Sequence, residues 1–171
     1  MEERRIAAVP ESDLSSMHAI LVLCAEHMHR AQGMSHWYPY RDFASWASRV
    51  DPARVYGVYS GPYLIGTFNL TDTPRPYQRE IAWADPQMRA VYFGGLGVLP
   101  YFQGGGTGRW IMAQADQMAR DEGYAAIRFD GVASNAPLMK FYDGLGYARR
   151  GVCDLTAQGW QPVMCYEREF L

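Results

Sequence analysis

The stretch Leu96-Gly-Val-Leu-Pro-Tyr-Phe-Gln-Gly-Gly-Gly-Thr-Gly-Arg-Trp-Ile111 constrains this chain more than any other. An apolar run that reads as a strand meets a proline stop, then a glycine-rich turn, then a helix start. Four of the six residues from Gln103 to Gly108 are glycine. Without Cβ atoms, successive backbone N–H groups can converge on an anion, and its oxygens can approach closely. The N-terminus of the following helix adds a partial positive charge. The unit therefore points to a phosphate or pyrophosphate site.

Two nucleotide motifs fail on this stretch. A Walker-type loop needs GxxxxGK[ST], and no lysine follows any of these glycines. A dinucleotide fingerprint needs GxGxxG; Gly104 and Gly106 supply its first half, but Arg109 stands where the third glycine belongs. The turn also falls past the middle of the chain rather than after a first strand.

The rest of the chain supplies a regular alternation. Arg5–Val9 predicts a first strand stopped by Pro10, with Ser12 or Asp13 capping the next helix. Leu14, Met17, Leu21, Cys24 and Met28 recur every three or four residues and give that helix one apolar face, ending near Gly33. A second helix is expected over 41–50, with Phe43 and Trp46 inward. Val55–Tyr59 and Tyr63–Leu70 read as a hairpin around Ser60-Gly61-Pro62. The proline-rich segment 71–89 reads as connector, with a strand fragment near 81–84. Ala90–Leu99 is a strand interrupted by Gly94 and Gly95, the pattern of a bulge or a close backbone approach. Then come a helix over 106–122, a strand over 125–132, a helix over 135–144, and strands over 148–154 and 162–170. This order implies an α/β (α+β) fold: a mixed central sheet of six to seven strands, with about four helices on both faces.

The 171 residues fit one domain spanning 1–171. A hydrophobic fraction of 49% with 20% charged residues excludes disorder as the main state. A formal net charge of -2 supplies no basic field for nucleic acid, and no basic amphipathic stretch suits a membrane surface. No apolar run approaches the ~18 residues that span a bilayer, and the polar first residues suggest no signal peptide. Cys24, Cys153 and Cys165 form no CxxC and no metal-ligand spacing, which favours a reduced, cytoplasmic protein. His18, His27, His29 and His36 contain no i,i+4 pair, so no metal site is expected.

The glycine turn resembles the acyl-CoA pyrophosphate motif Q/R-x-x-G-x-G/A of the GNAT (Gcn5-related N-acetyltransferase) superfamily, with Gln103, Gly106 and Gly108 at its fixed positions. Leu96-Gly-Val-Leu-Pro100 resembles that family's bulged fourth strand. Ile127-Arg-Phe-Asp130, Ser134-Asn135 and Phe141-Tyr142-Asp-Gly-Leu-Gly-Tyr147 resemble its fifth strand and following helix. The element order agrees over essentially the whole chain, while specific motifs cover about 90–147.

The resemblance implies an acetyl-CoA-dependent N-acetyltransferase with no metal. Backbone groups of Leu96 and Val98 would hold the pantetheine arm and polarise the thioester carbonyl. Backbone N–H groups of Gln103, Gly104, Gly105, Gly106, Thr107 and Gly108 would hold the pyrophosphate. Asn135 would contact the arm, and Tyr142 would be the general acid that protonates the departing thiolate. Many relatives carry a glutamate, or a polar group holding water, on the fourth strand as general base; Gly94-Gly95 provide no such side chain. An alkylammonium is almost wholly protonated at neutral pH, a handicap of about 4–5 kcal/mol. Asp130, near the C-terminal end of a strand, is the favoured substitute, with Glu80, Asp85 or a water chain as alternatives. The aromatic loop 34–40 borders the acceptor site in this superfamily. Trp37 and Tyr40, with Trp83 facing them, would suit an amine on an apolar or planar body.

The expected partners are a small-molecule amine and, since relatives often dimerise, a second copy of the chain. An acceptor that is a protein N-terminus, a different acyl chain, a hydroxyl acceptor and a catalytically silent acyl-CoA sensor stay open.

Overall fold

The computed structural model describes residues 3–170. Its elements are β1 (Arg4–Ala8), α1 (Leu14–Gln32), α2 (Phe43–Ala47), β2 (Val55–Ser60), β3 (Tyr63–Thr71), β4 (Ala90–Val98), α3 (Thr107–Asp121), β5 (Ala126–Val132), α4 (Ala136–Gly144), β6 (Ala148–Cys153) and β7 (Val163–Glu169). This is the order expected from the sequence. Seven strands form one mixed sheet, ordered β1-β2-β3-β4-β5-β7-β6. β4 and β5 run parallel, while β1–β2, β2–β3, β5–β7 and β6–β7 are antiparallel.

The chain divides into two compact units, Met1–Thr71 with Gly94–Ile111, and Asp72–Phe93 with Met112–Leu171; β4 and α3 run from one into the other. In the first unit, α1 buries Leu14, Met17, Ile20, Leu21, Cys24 and Ala25, the stripe its periodicity predicts. It stops at Gly33, whose φ of 66° is the left-handed conformation of a helix C-cap. Val9, Leu14, Met17, Leu21, Trp46 and Val55 form one apolar cluster. A Cβ on Gly97 would meet Leu21, Ile20 and Cys24 at 3.0–3.4 Å, so the bare backbone there lets α1 lie against β4.

In the second unit, Phe129 of β5 is stacked on Tyr166 of β7 and lies edge-on to Tyr147. Glu167 of β7 is fully buried and shared by two arginines, Arg128 Nε at 2.8 Å and Arg150 Nε at 2.6 Å. Its Oε2 also accepts from the Ala84 N–H. Cys165 sits in a core cluster with Ile81, Trp83, Tyr92, Leu155 and Val163, and Cys153 packs against it.

Four local expectations need correction. Asp13 occupies the N-cap position of α1, but its side chain makes no capping bond. α2 spans only Phe43–Ala47: Asp42 caps it by accepting from Ser45 N–H, and Ser48 Oγ donates to the Ser45 carbonyl at its other end. Phe43 is 42% exposed, whereas Trp46 is buried. Residues 81–84 are not a strand; Pro76–Glu80 forms a short 3-10 helix, and the backbone after it bonds to side chains such as Glu167.

Candidate functional site

The turn after β4 belongs to the first unit. Pro100–Phe102 makes one 3-10 turn, and Gln103 follows in extended conformation. The Gln103 N–H donates to the Pro100 carbonyl at 3.1 Å, and its side-chain Nε2 donates to the Val98 carbonyl at 2.7 Å. Gln103 therefore braces the loop, and its backbone N–H is taken. That corrects the expectation that it serves a pyrophosphate directly. The residues after it behave otherwise. Gly104 and Gly106 have φ of 78° and 79°, a conformation costly for any side chain. Among the described residues, the N–H groups of Gly104, Gly105, Gly106, Thr107 and Gly108 have no protein acceptor. Five consecutive N–H donors thus stand at the start of a 15-residue helix, where they could hold an anion such as a phosphate. Arg4 Nη2 donates to the Gly105 carbonyl at 3.2 Å, adding a cation beside the turn. Nothing in the sequence pattern pointed to Arg4, which stands 101 residues away.

Val98, on the last turn-facing position of β4, is buried, and Leu96 is half-buried. The Val98 carbonyl also accepts from Cys24 Sγ at 3.2 Å. Burial pushes the Cys24 thiol up to about 11, so it remains a thiol and a donor. The Leu99 N–H donates to the Ile65 carbonyl at 2.8 Å. The peptide between Val98 and Leu99 is thus fixed on both sides. Gly95 has a φ of 60°, which marks the interruption of β4 expected from the glycine pair.

Trp37 and Tyr40 are half-buried, lie edge-to-face to each other at 5.7 Å, and pack against the first unit's apolar cluster. His18 anchors their loop: its Nε2 bonds the Arg41 carbonyl at 2.8 Å, and its ring lies 5.7 Å from Tyr40. His29 stacks on Tyr38 and bonds Ser35 Oγ at 2.9 Å. These two histidines serve the aromatic loop, a role the sequence did not disclose.

The second unit holds Asp130, Asn135, Tyr142 and Trp83. Tyr142 of α4 is 4% exposed, with Phe129, Phe141 and Tyr166 rings around it at 4.6, 5.2 and 5.3 Å. Burial and the nearby Asp130 charge push its phenol well above the ordinary value. Among the described residues its hydroxyl has no hydrogen-bond partner, and it is not sealed from water. Asp130, late in β5, accepts at Oδ2 from Tyr77 OH at 2.9 Å and Gln78 Nε2 at 2.8 Å. Burial, opposed by Arg75 and these two donors, raises its carboxyl above the usual range. Asn135 caps α4, its Oδ1 accepting from Leu138 N–H at 3.2 Å, which leaves its side-chain N–H groups for a ligand. Trp83 is a core residue rather than a pocket wall. It is 6% exposed, its Nε1 donates to the Gln78 carbonyl at 2.7 Å, and the Arg128 guanidinium lies 4.8 Å over its ring. Glu80 and Asp85, the other carboxylates considered as base, are exposed.

The fold has many solved counterparts. A GNAT-family acetyltransferase from Listeria monocytogenes is 16% identical with a TM-score of 0.81, covering 99% of this chain and 96% of its own. A GNAT-family acetyltransferase from Streptococcus agalactiae is 13% identical with a TM-score of 0.77, covering 98% and 96%. The yncA protein of Salmonella typhimurium, solved with its cofactor acetyl-CoA, is 14% identical with a TM-score of 0.66, covering 97% and 93%. No curated protein matches the chain in sequence. The model of the acetyltransferase (GNAT) family matches residues 15–147, which takes in α1, the interrupted strand, the glycine turn and α4, and the chain belongs to that family.

Proposed function

We propose that this protein, working as one domain, transfers the acetyl group of acetyl-CoA to a primary amine of a small molecule by direct attack. The observation that carries the proposal is the run of five acceptor-less N–H groups from Gly104 to Gly108, opened by two glycines at positive φ. It suits the pyrophosphate of a CoA thioester, and the family membership and the acetyl-CoA bound to yncA support that ligand. Bound acetyl-CoA supplies an activated acetyl carbon on a thiol leaving group.

The chain's own residues then act at three points. The turn and Arg4 hold the phosphates, and Asn135 N–H groups contact the arm. Backbone groups of Leu96 and Val98 orient the thioester carbonyl, held in place by the bonds that Cys24 and Gln103 make to the Val98 carbonyl. As the amine lone pair forms the C–N bond and the C–S bond breaks, Tyr142 gives its phenolic proton to the sulfur. The raised phenol is protonated across the neutral range, and it gives up the proton more readily once Asp130, whose charge helps raise it, has taken a proton itself. The nitrogen's surplus proton passes to the Asp130 carboxylate, directly or through water.

Tyr142→Phe is expected to lower kcat about 100-fold while leaving acetyl-CoA affinity unchanged. Stopped thiol-release assays and calorimetric titration read the two quantities, and an unaltered kcat removes Tyr142 from the chemistry. Asp130 must be ionised to accept a proton. Because its carboxyl is raised, activity should decline on acidification at a higher pH than the ~3.9 of an ordinary aspartate. Asp130→Asn should lower the rate and erase that acid limb from the kcat/KM profile; the same limb in the variant assigns it elsewhere.

One observation favours a second reading. The glycine pair of β4 offers no side chain as base, as in a silent acyl-CoA sensor. Tight acetyl-CoA binding without thiol release for any amine would decide for the sensor.

A further inference from the structure

Asn69 on β3 is half-buried, and its carboxamide faces the glycine pair of β4. A Cβ on Gly94 would lie 3.0 Å from Asn69 Oδ1, and one on Gly95 would lie 3.3 Å from Nδ2. The amide occupies the space that a side chain at either position would claim. Among the described residues neither amide atom has a hydrogen-bond partner, and neither is sealed from water. A half-buried carboxamide is an incomplete arrangement unless a ligand or water completes it. It lies beside the break in β4 at Gly95, two strand positions before Gly97 and three before the braced Val98 carbonyl.

We propose that Asn69 is a positioning residue for the acceptor: its Oδ1 accepts an N–H of the attacking amine and aims the nitrogen lone pair at the acetyl carbon. The inference rests on the acetyl-transfer reading above. A carboxamide is neutral and takes no proton, so it orients the amine without competing with the base. It requires an acceptor with an N–H to spare, which a primary amine has. Fixing the nitrogen removes orientational freedom before the reaction. The glycine pair is then the counterpart of Asn69: bare backbone on β4 admits the amide from β3.

The test uses the full chain, acetyl-CoA and three acceptors: phenethylamine, spermidine and an alanyl dipeptide. Asn69→Leu keeps the branched shape and removes the hydrogen bond; Asn69→Asp keeps the accepting oxygens. Asn69→Leu should lose about 10- to 100-fold in kcat/KM for the best acceptor, with the acetyl-CoA KM and the melting temperature unchanged. Asn69→Asp should recover most of that rate at mildly alkaline pH and add a new acid limb to the profile. A merely space-filling side chain would be served as well by leucine, so equal rates in Asn69→Leu and the unaltered protein overturn the proposal. Equal losses in both variants overturn it too. If the unaltered protein releases no thiol with any of the three amines, acetyl transfer to amines of these classes falls and the inference with it. If it does release thiol, the variants judge Asn69 alone.

Discussion

Gly106→Glu is expected to raise the dissociation constant of acetyl-CoA at least about 100-fold, a loss near 2.8 kcal/mol. The substitution acts twice on the same spot. Gly106 has a φ of 79°, so any side chain forces a conformation that costs about 1–2 kcal/mol. The new carboxylate would sit among the five N–H donors and compete with the phosphate for them. A Cβ at Gly106 meets nothing within 4 Å, so the substitution brings backbone strain and charge but no steric clash. Gly106→Ala separates the two effects: strain alone should cost about tenfold in affinity, and the charge supplies the rest. Calorimetric titration reads both, and parental affinity in Gly106→Glu would remove the turn from phosphate binding.

The second large effect concerns stability. Glu167→Ala should cost about 3–5 kcal/mol, because it leaves Arg128 buried without a counter-charge, while Arg150 keeps its pair with Glu169 at 2.9 Å. Arg128 is 1% exposed and cannot escape to water. Its other bonds, to the Asp85 carbonyl at 2.6 Å and Tyr92 OH at 3.3 Å, are neutral acceptors that do not balance its charge. For a chain of this size the loss corresponds to a melting temperature lower by about 10 °C. Differential scanning calorimetry tests it. The double variant Glu167→Ala with Arg128→Met should regain part of the loss, since no charge is then buried alone. A drop below about 1 kcal/mol in the single variant would mean that water reaches the arginines.

The sequence disclosed the architecture because its signals were local. Helix periodicity from Leu14 to Cys24, the glycine stop at Gly33, and the hairpin at Gly61 each depend on neighbours in the chain. All eleven elements followed in order. The glycine turn was legible for the same reason: four glycines and a helix start lie within a few residues. What stayed hidden depends on partners far apart in sequence. Arg4 reaches Gly105, Cys24 reaches Val98, and Asn69 fills the gap beside Gly94 and Gly95. Residues 81–84 carry apolar side chains that read as a strand fragment. Instead the Ala84 N–H bonds the Glu167 carboxylate, a partner 83 residues away that no local pattern encodes. Gln103 shows how a motif position can be right while its role differs. It sits where the family motif places it, yet its donors brace Pro100 and Val98.

The cysteines described above have a practical consequence. Every turnover of an acetyl-CoA-dependent transferase liberates a free thiol, and thiolates are the species that exchange with disulfides and reagents. Burial raises all three of this chain's thiols, Cys24 to about 11 and Cys153 and Cys165 also above the ordinary value. Cys24 and Cys165 are also enclosed by the core, while Cys153 is half-buried. The protein is therefore poorly disposed to form mixed disulfides with released CoA. Cys24 and Cys165 also contribute little background to a disulfide reagent such as dithiobis(nitrobenzoate), which leaves Cys153 as the protein's own sulfur to subtract in a continuous colour assay of the folded form.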